Sequence, residues 1–234
     1  MSIVIINPNS TSAMTDAMVN VARISAPGLQ FEGWTSGDGP PAIQGAEDGE
    51  IATPPLLRLV REATGKGADG IIIGCFDDTA LVEASRIANC PVLGIGQAAY
   101  FYAALRNWKF SVVTTLRISV PVIEENIRHL GLSDHLARVR ASDVAVLELE
   151  SNVEEAERKI LAEAMCAERD DGIDAVILGC AGMVNVMESM RRSLAVHVID
   201  PVSTAATCMG WMLPLEARAA EKGKQESPLS LYPE

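Results

Sequence analysis

With 234 residues and 48% hydrophobic content, the chain can bury a sizeable core as one large domain or two lobes. Its 19 basic against 31 acidic residues give a net charge of −12, which argues against the basic surfaces that nucleic acids and anionic membranes require. The five cysteines form no CxxC pair and show no Cys/His metal spacing, and residues 1–7 lack the basic and long apolar regions of a leader, so a cytoplasmic protein with reduced thiols and no metal is expected.

In chain order, residues 2–6 (SIVII) read as a first strand, and Asn7-Pro8-Asn9-Ser10-Thr11-Ser12 as a loop into a helix ending near Ile24. Asn7 and Asn9 stand at a strand end, where their amides serve a turn or reach a ligand. Residues 29–35 alternate weakly as a second strand. The Gly/Pro-rich stretch 36–46 is a loop and a candidate cover for a cleft. Residues 47–64 follow as a helix that Pro54-Pro55 is expected to break or restart.

Residues 68–79, ADGIIIGCFDDT, combine an acidic residue and an aliphatic run with a Gly-Cys stop, the pattern of a buried parallel strand. A helix over 79–87 and a short strand over 91–95 come next. Gly94-Ile95-Gly96-Gln97-Ala98-Ala99 matches GxGxxA, but the dinucleotide fingerprint belongs after the first strand of a unit, with an acidic residue about 20 positions on. A tight turn with close helix packing fits these glycines better. Residues 110–114 then resemble 3–7, and the series begins again: a helix over 117–130, a strand near 138–142 and an amphipathic helix over 152–169. The stretch 173–185, IDAVILGCAGMVN, repeats the Gly-Cys strand. A helix over 184–191, a last strand over 196–201 and a C-terminal helix capped by Ser203-Thr204 complete the series, with a mobile tail at 221–234.

Cys180 lies 105 residues after Cys75, and aligning 92–94 with 198–200 gives an offset of 106. The chain is therefore read as an α/β duplication whose equivalent strand ends face each other across a pseudo-twofold axis. Both cysteines fall at carboxyl ends of strands, the edge where open α/β sheets bind ligands. A helix start just beyond would lower each thiol's pKa and let it act as a base. Lobe 1 is expected over 1–96, completed by the C-terminal helix at about 207–220, and lobe 2 over 97–206.

The opening IINPNST, the GCFDDT and LGCAGM motifs, the VVTT segment and the internal repeat resemble the Asp/Glu/hydantoin racemase superfamily, over about residues 1–215. The hydantoin or allantoin racemase branch is the nearer one. The resemblance implies two Rossmann-like lobes with short, mostly parallel sheets flanked by helices, inversion at carbon without a cofactor, and a homo-oligomer. Carried over, Cys75 and Cys180 become an acid/base pair: inversion takes a proton from one face and returns one to the other, so one sulfur starts as thiolate and the other as thiol. A general base contributes about 10²–10⁴-fold. Backbone N–H groups after the cysteines, at Phe76, Asp77, Ala181 and Gly182, with the hydroxyls of Thr79, Thr114 and Thr115, would steady the enolate. Asn7, Asn9 and Asp200 are further candidates for substrate contact.

Cys90, Cys166 and Cys208 read as small buried hydrophobes, His129 and His135 as solvated helix ends, and His197 as a strand residue. Asp77-Asp78 suits helix capping better than a metal. The strand-end motifs contain no Arg or Lys, Arg117 being nearest, which favours a neutral hydantoin or allantoin over free aspartate or glutamate. Three other readings stay open: an arylmalonate-decarboxylase-like enzyme, which uses one cysteine; a maleate-isomerase-like enzyme, which uses one of two as nucleophile; and a two-lobed binding module without catalysis.

Overall fold

The computed structural model describes residues 1–225, with side chains described through Leu215. Strands β1 (Ser2–Asn7), β2 (Gln30–Thr35), β3 (Gly70–Ile73) and β4 (Val92–Gly94) alternate with helices α1 (Ser12–Ser25), α2 (Ala46–Gly65), α3 (Leu81–Ile87) and α4 (Ile95–Leu105). The second half follows with β5 (Phe110–Thr114), α5 (Val120–His129), β6 (Leu136–Ala141), α6 (Glu148–Ser151), α7 (Val153–Asp170), β7 (Ala175–Gly179), α8 (Met187–Ser193), β8 (His197–Ile199) and α9 (Pro201–Gln225). The tail expected at 221–234 lies, from 226 on, outside the described residues.

The strands form two four-stranded parallel sheets, ordered β2-β1-β3-β4 and β6-β5-β7-β8. Renumbering the second from β5 reproduces the first, so the duplication read from the cysteine spacing is a duplication of topology. Even single bonds repeat: Ser36 N–H donates to the Asn7 carbonyl and Ser142 N–H to the Thr114 carbonyl, both at 2.9 Å.

Central strands β3 and β7 are buried along their whole length, and because successive side chains point to opposite faces, each supplies two cores. Ile3, Ile5 and Ile72 from the first sheet meet Val112, Ile177 and Ile199 from the second in one continuous core, filled by Met18 of α1, Tyr100 of α4 and Met209 of α9. On the outer faces, Val4, Ile6, Ile71 and Ile73 pack against Leu56 and Val60 of α2, while Val176 and Leu178 pack against Ile160 of α7 and Met190 of α8. Each such side chain contributes about 1.5–3 kcal/mol on burial.

Two local expectations are corrected. Pro54-Pro55 does not interrupt α2. The missing N–H groups free the carbonyls of Glu50 and Ile51, and both residues are exposed, so water can satisfy them while Pro55 packs inward. The cap of α9 is Asp200, not Ser203-Thr204. Pro201 opens the helix with its fixed φ, Asp200 Oδ1 accepts the Val202 N–H at 3.0 Å, and Ser203 Oγ donates to Oδ2.

Candidate active site

Each cysteine follows a glycine at the end of a central strand, and each glycine packs closely against its neighbours. A Cβ at Gly179 would sit 2.9 Å from Thr114 Cα, and one at Gly74 would sit 2.7 Å from Met18 Sδ. Beyond them the two halves make the same turn. Asp78 N–H donates to the Cys75 carbonyl and Met183 N–H to the Cys180 carbonyl, both at 3.1 Å. One residue earlier, the N–H groups of Asp77 and Gly182 favour the thiolate forms of Cys75 and Cys180. Both sulfurs therefore line a single small cleft between the sheets.

Asn9, Phe76, Asp77, Thr114, Thr115, Ala181 and Gly182 share the lining with the two cysteines. Thr79 acts from behind, its hydroxyl donating to Cys75 Sγ at 3.4 Å. Asn7 and Asp200 are not brought to the cleft. The Asn7 amide nitrogen is fully buried and donates to Asn9 Oδ1 (2.9 Å), the Thr11 carbonyl (3.1 Å) and Thr15 Oγ1 (3.1 Å), so its work is to orient Asn9. Asp200 is occupied at the start of α9.

Met14, Ile43, Ser119 and Val146 complete the walls and were not found from the sequence. The composition of 36–46 marked a covering loop without marking Ile43, and Val146 carries no signal beyond its place in the matching loop of the second half. These two loops tie together over the site. Gln44 Oε1 accepts the Val146 N–H at 3.0 Å, and Ala42 and Val146 pack with Met14 against Cys180.

The expected lowering of the thiol pKa values is reversed. Burial pushes Cys180 up to about 12, with the Asp77 charge adding to it and the Gly182 N–H opposing. Cys75 is pushed up by burial first and by the Asp77 charge second, while the Thr79 hydroxyl and the Asp77 N–H pull the other way. The reason is local: α3 starts only at Leu81, after left-handed Asp78 (φ 49°) and Ala80 (φ 50°), and Cys180 precedes a six-residue 3₁₀ turn, Ala181–Val186. No long helix dipole is aimed at either sulfur, so desolvation decides. Asp77 is itself raised to about 7 by burial, against one N–H from Gly45, and its Oδ2 has no partner.

Asp78 does cap a helix, but that helix is α4: its two carboxylate oxygens accept Gly96 N–H at 3.1 Å and Gln97 N–H at 2.7 Å. A Cβ at Gly94 would collide with that carboxylate, which is the close packing read from the GxGxxA match. Among the described residues no His, Lys or Arg lines the cleft. His129 pairs with Glu125 on the surface, His135 Nδ1 lies 3.0 Å from the Trp108 carbonyl, and His197 stacks on Trp108 at 4.1 Å. Cys90, Cys166 and Cys208 are half-buried rather than fully buried. Among the described residues no group of three or more His, Cys, Asp or Glu side chains could hold a metal ion, and no helix is long and apolar enough to cross a membrane.

The family model described as Asp/Glu/Hydantoin racemase matches residues 3–209. A hydantoin racemase of Rhizobium meliloti is 38% identical over 206 residues, covering 88% of this chain and 86% of the relative. The structure of an allantoin racemase from Klebsiella pneumoniae superposes with a TM-score of 0.88 at 33% identity, over 92% of this chain and 89% of that one. A glutamate racemase from Francisella tularensis shares the fold, with a TM-score of 0.68 at 18% identity over 93% of this chain and 81% of that one.

Proposed function

Because the chain belongs to the Asp/Glu/hydantoin racemase family and is an isomerase, we propose that it inverts C5 of a 5-substituted hydantoin or of allantoin, with Cys75 and Cys180 as its two bases. The observation that carries this reading is the pair of equivalent turns that aim two thiols into one cleft. One sulfur as thiolate takes the C5 proton, the other as thiol delivers a proton to the opposite face, and the next molecule of the other hand meets the reversed pair. Backbone N–H groups of the two turns and the Thr115 hydroxyl are the donors for the enolate oxygen.

The lining supports a neutral substrate. A free amino acid brings an α-carboxylate, and among the described residues this cleft offers no cation and one carboxyl, Asp77. A hydantoin ring brings N–H and C=O groups that Asn9, Thr115 and the backbone can meet, and its C5 proton is acidified by the adjacent carbonyl of a delocalised imide. An arylmalonate-decarboxylase-like reaction needs one cysteine and leaves the second turn without a purpose.

The test is the decay of optical rotation of enantiopure 5-substituted hydantoins and allantoin, beside free aspartate and glutamate at one pH and enzyme concentration. Racemisation of a hydantoin or allantoin with little or none of the amino acids is expected. A higher kcat/KM for either amino acid than for every hydantoin tested overturns the substrate assignment. We also propose a cytoplasmic homo-oligomer: the cysteines are free thiols, and Phe101, Leu105, Trp211 and Leu215 on α4 and α9 are exposed apolar side chains. Sedimentation of the purified protein as a monomer overturns the second part.

A further inference from the structure

Resting on the two-thiol reading, we propose that Asp77 holds the one negative charge the cleft carries between turnovers, and so sets the pH above which the thiol pair works. Within the cleft lining, Asp77 gives the first turn a carboxyl that the second lacks. It occupies the second position after Cys75, and the matching position after Cys180 is Gly182, where a Cβ would meet Leu149 Cδ1 at 2.8 Å. The duplicated scaffold therefore carries a carboxyl on one side only. Its backbone is held: the carbonyl accepts Asn126 Nδ2 at 2.8 Å. Its side chain lines the cleft with a buried, unpartnered Oδ2.

The groups around it leave the charge no other place. Its own loop contributes Cys75 and Asp78, the opposite turn Cys180, α4 Tyr100, and the start of α2 the Gly45 N–H. Asp78 does not line the cleft: both of its oxygens accept N–H groups at the start of α4, and any charge it carries is held there. Tyr100 is a buried phenol raised well above its ordinary range. Asp77, which ionises at about 7, is far easier to ionise than either thiol.

A thiolate formed beside an ionised Asp77 would put two negative charges in one small cleft. Proton transfer from sulfur to Asp77 keeps the total at one. The S–H bond breaks with its electron pair left on sulfur, and the proton forms an O–H bond on Asp77. The thiolate then takes the C5 proton, and the second thiol gives its own to the other face. That second sulfur, now a thiolate, recovers the proton from Asp77, and the starting charges are restored. Asp77 acts here through the sulfurs, as a positioning residue for charge.

The experiment is kcat/KM for one enantiopure 5-substituted hydantoin from pH 5.5 to 9.5, with the spontaneous rate subtracted, for wild type, Asp77→Asn and Asp77→Glu. Wild type should rise through about pH 7 and flatten, because one proton has then left the cleft. In Asp77→Asn the first proton must leave a thiol, so its rise should continue above pH 9. The ratio of variant to wild type at each pH cancels the ionisation of the substrate. It should be constant below pH 6 and climb by about tenfold per pH unit between 7 and 9, while Asp77→Glu keeps the plateau. A purely structural loss multiplies the rate by a constant, so a flat ratio overturns the proposal, as does a wild-type profile still rising beyond pH 9. If wild type racemises no hydantoin or allantoin, the substrate reading falls and an infrared titration decides this one. A carboxyl band titrating near pH 7 in wild type and lost in Asp77→Asn sustains the proposal, and its persistence in the variant overturns it.

Discussion

At the residue scale, desolvation sets the acidity of the thiols and single hydrogen bonds adjust it. Cys75→Ser or Cys180→Ser should lower racemisation by at least about 10²-fold, because a serine hydroxyl is too weakly acidic to replace the thiolate. In deuterium oxide each variant should still exchange the C5 proton of one enantiomer, and the two should choose opposite hands. Full racemisation by either would discard the two-base assignment. Thr79→Val removes the O–H donated to Cys75 and should raise that thiol further. A net hydrogen bond of about 1 kcal/mol corresponds to a fall of roughly fivefold in kcat/KM, readable as slower exchange at the face served by Cys75 only. Asp77 also bears on stability. Its folded carboxyl ionises well above the ordinary 3.8, so its contribution is fully present below about pH 4 and lost as pH rises through about 7. The stability advantage of Asp77→Asn over wild type, from urea denaturation, should therefore grow between pH 4 and pH 7, by on the order of a few kcal/mol.

At the element scale, the first turn of α4 depends on a residue 16 positions before the helix-capping glycine, Gly94. Asp78→Ala should cost about 1–2 kcal/mol in urea denaturation by removing that cap. Gly94→Ala should approach the same loss, because its Cβ displaces the carboxylate; an unchanged urea midpoint in both variants would refute the capping role. Gln44→Ala removes the bond that ties the two covering loops, and should raise KM more than it lowers kcat. The elements themselves were legible because their signals are local: an aliphatic run closed by Gly-Cys fixes a strand and its end within a residue or two. The cap of α4 was not, since it joins Asp78 to Gly96 and Gln97 across a strand and a helix. Nor were Ile43 and Val146, whose roles exist only once two loops 100 residues apart meet. Asn7 and Asp200 stand at strand ends, and a strand end offers both a ligand and a helix start; the buried hydrogen bonds here go to the second. The acidity of the thiols is not legible for a related reason: a Gly-Cys strand end announces a following helix but not the five residues that lie between Cys75 and α3.

At the scale of the whole molecule, the two sheets do not own separate interiors. Ile5 and Ile72 from one and Val112 and Ile177 from the other share a core with α4 and α9, and α9 also touches β3 and β4 of the first sheet. Loss of either half strips the other of buried area, so unfolding in urea should be one transition, with secondary structure and aromatic packing lost at the same midpoint. Two separated midpoints would show that the halves are independently stable.

The two turns at the cleft are near mirror duties on a scaffold that is itself not symmetric, with Asp77 on one side and Gly182 on the other. The two hands of a substrate with one stereocentre have equal free energy in water, so the reaction they share has an equilibrium constant of one. Microscopic reversibility then forces kcat/KM to be identical in the two directions, whatever the cleft contains. The lone carboxyl can raise or lower that shared value, but it can distinguish the two hands only through kcat and KM separately. The enantiomer that it helps to hold more tightly must turn over more slowly in the same proportion.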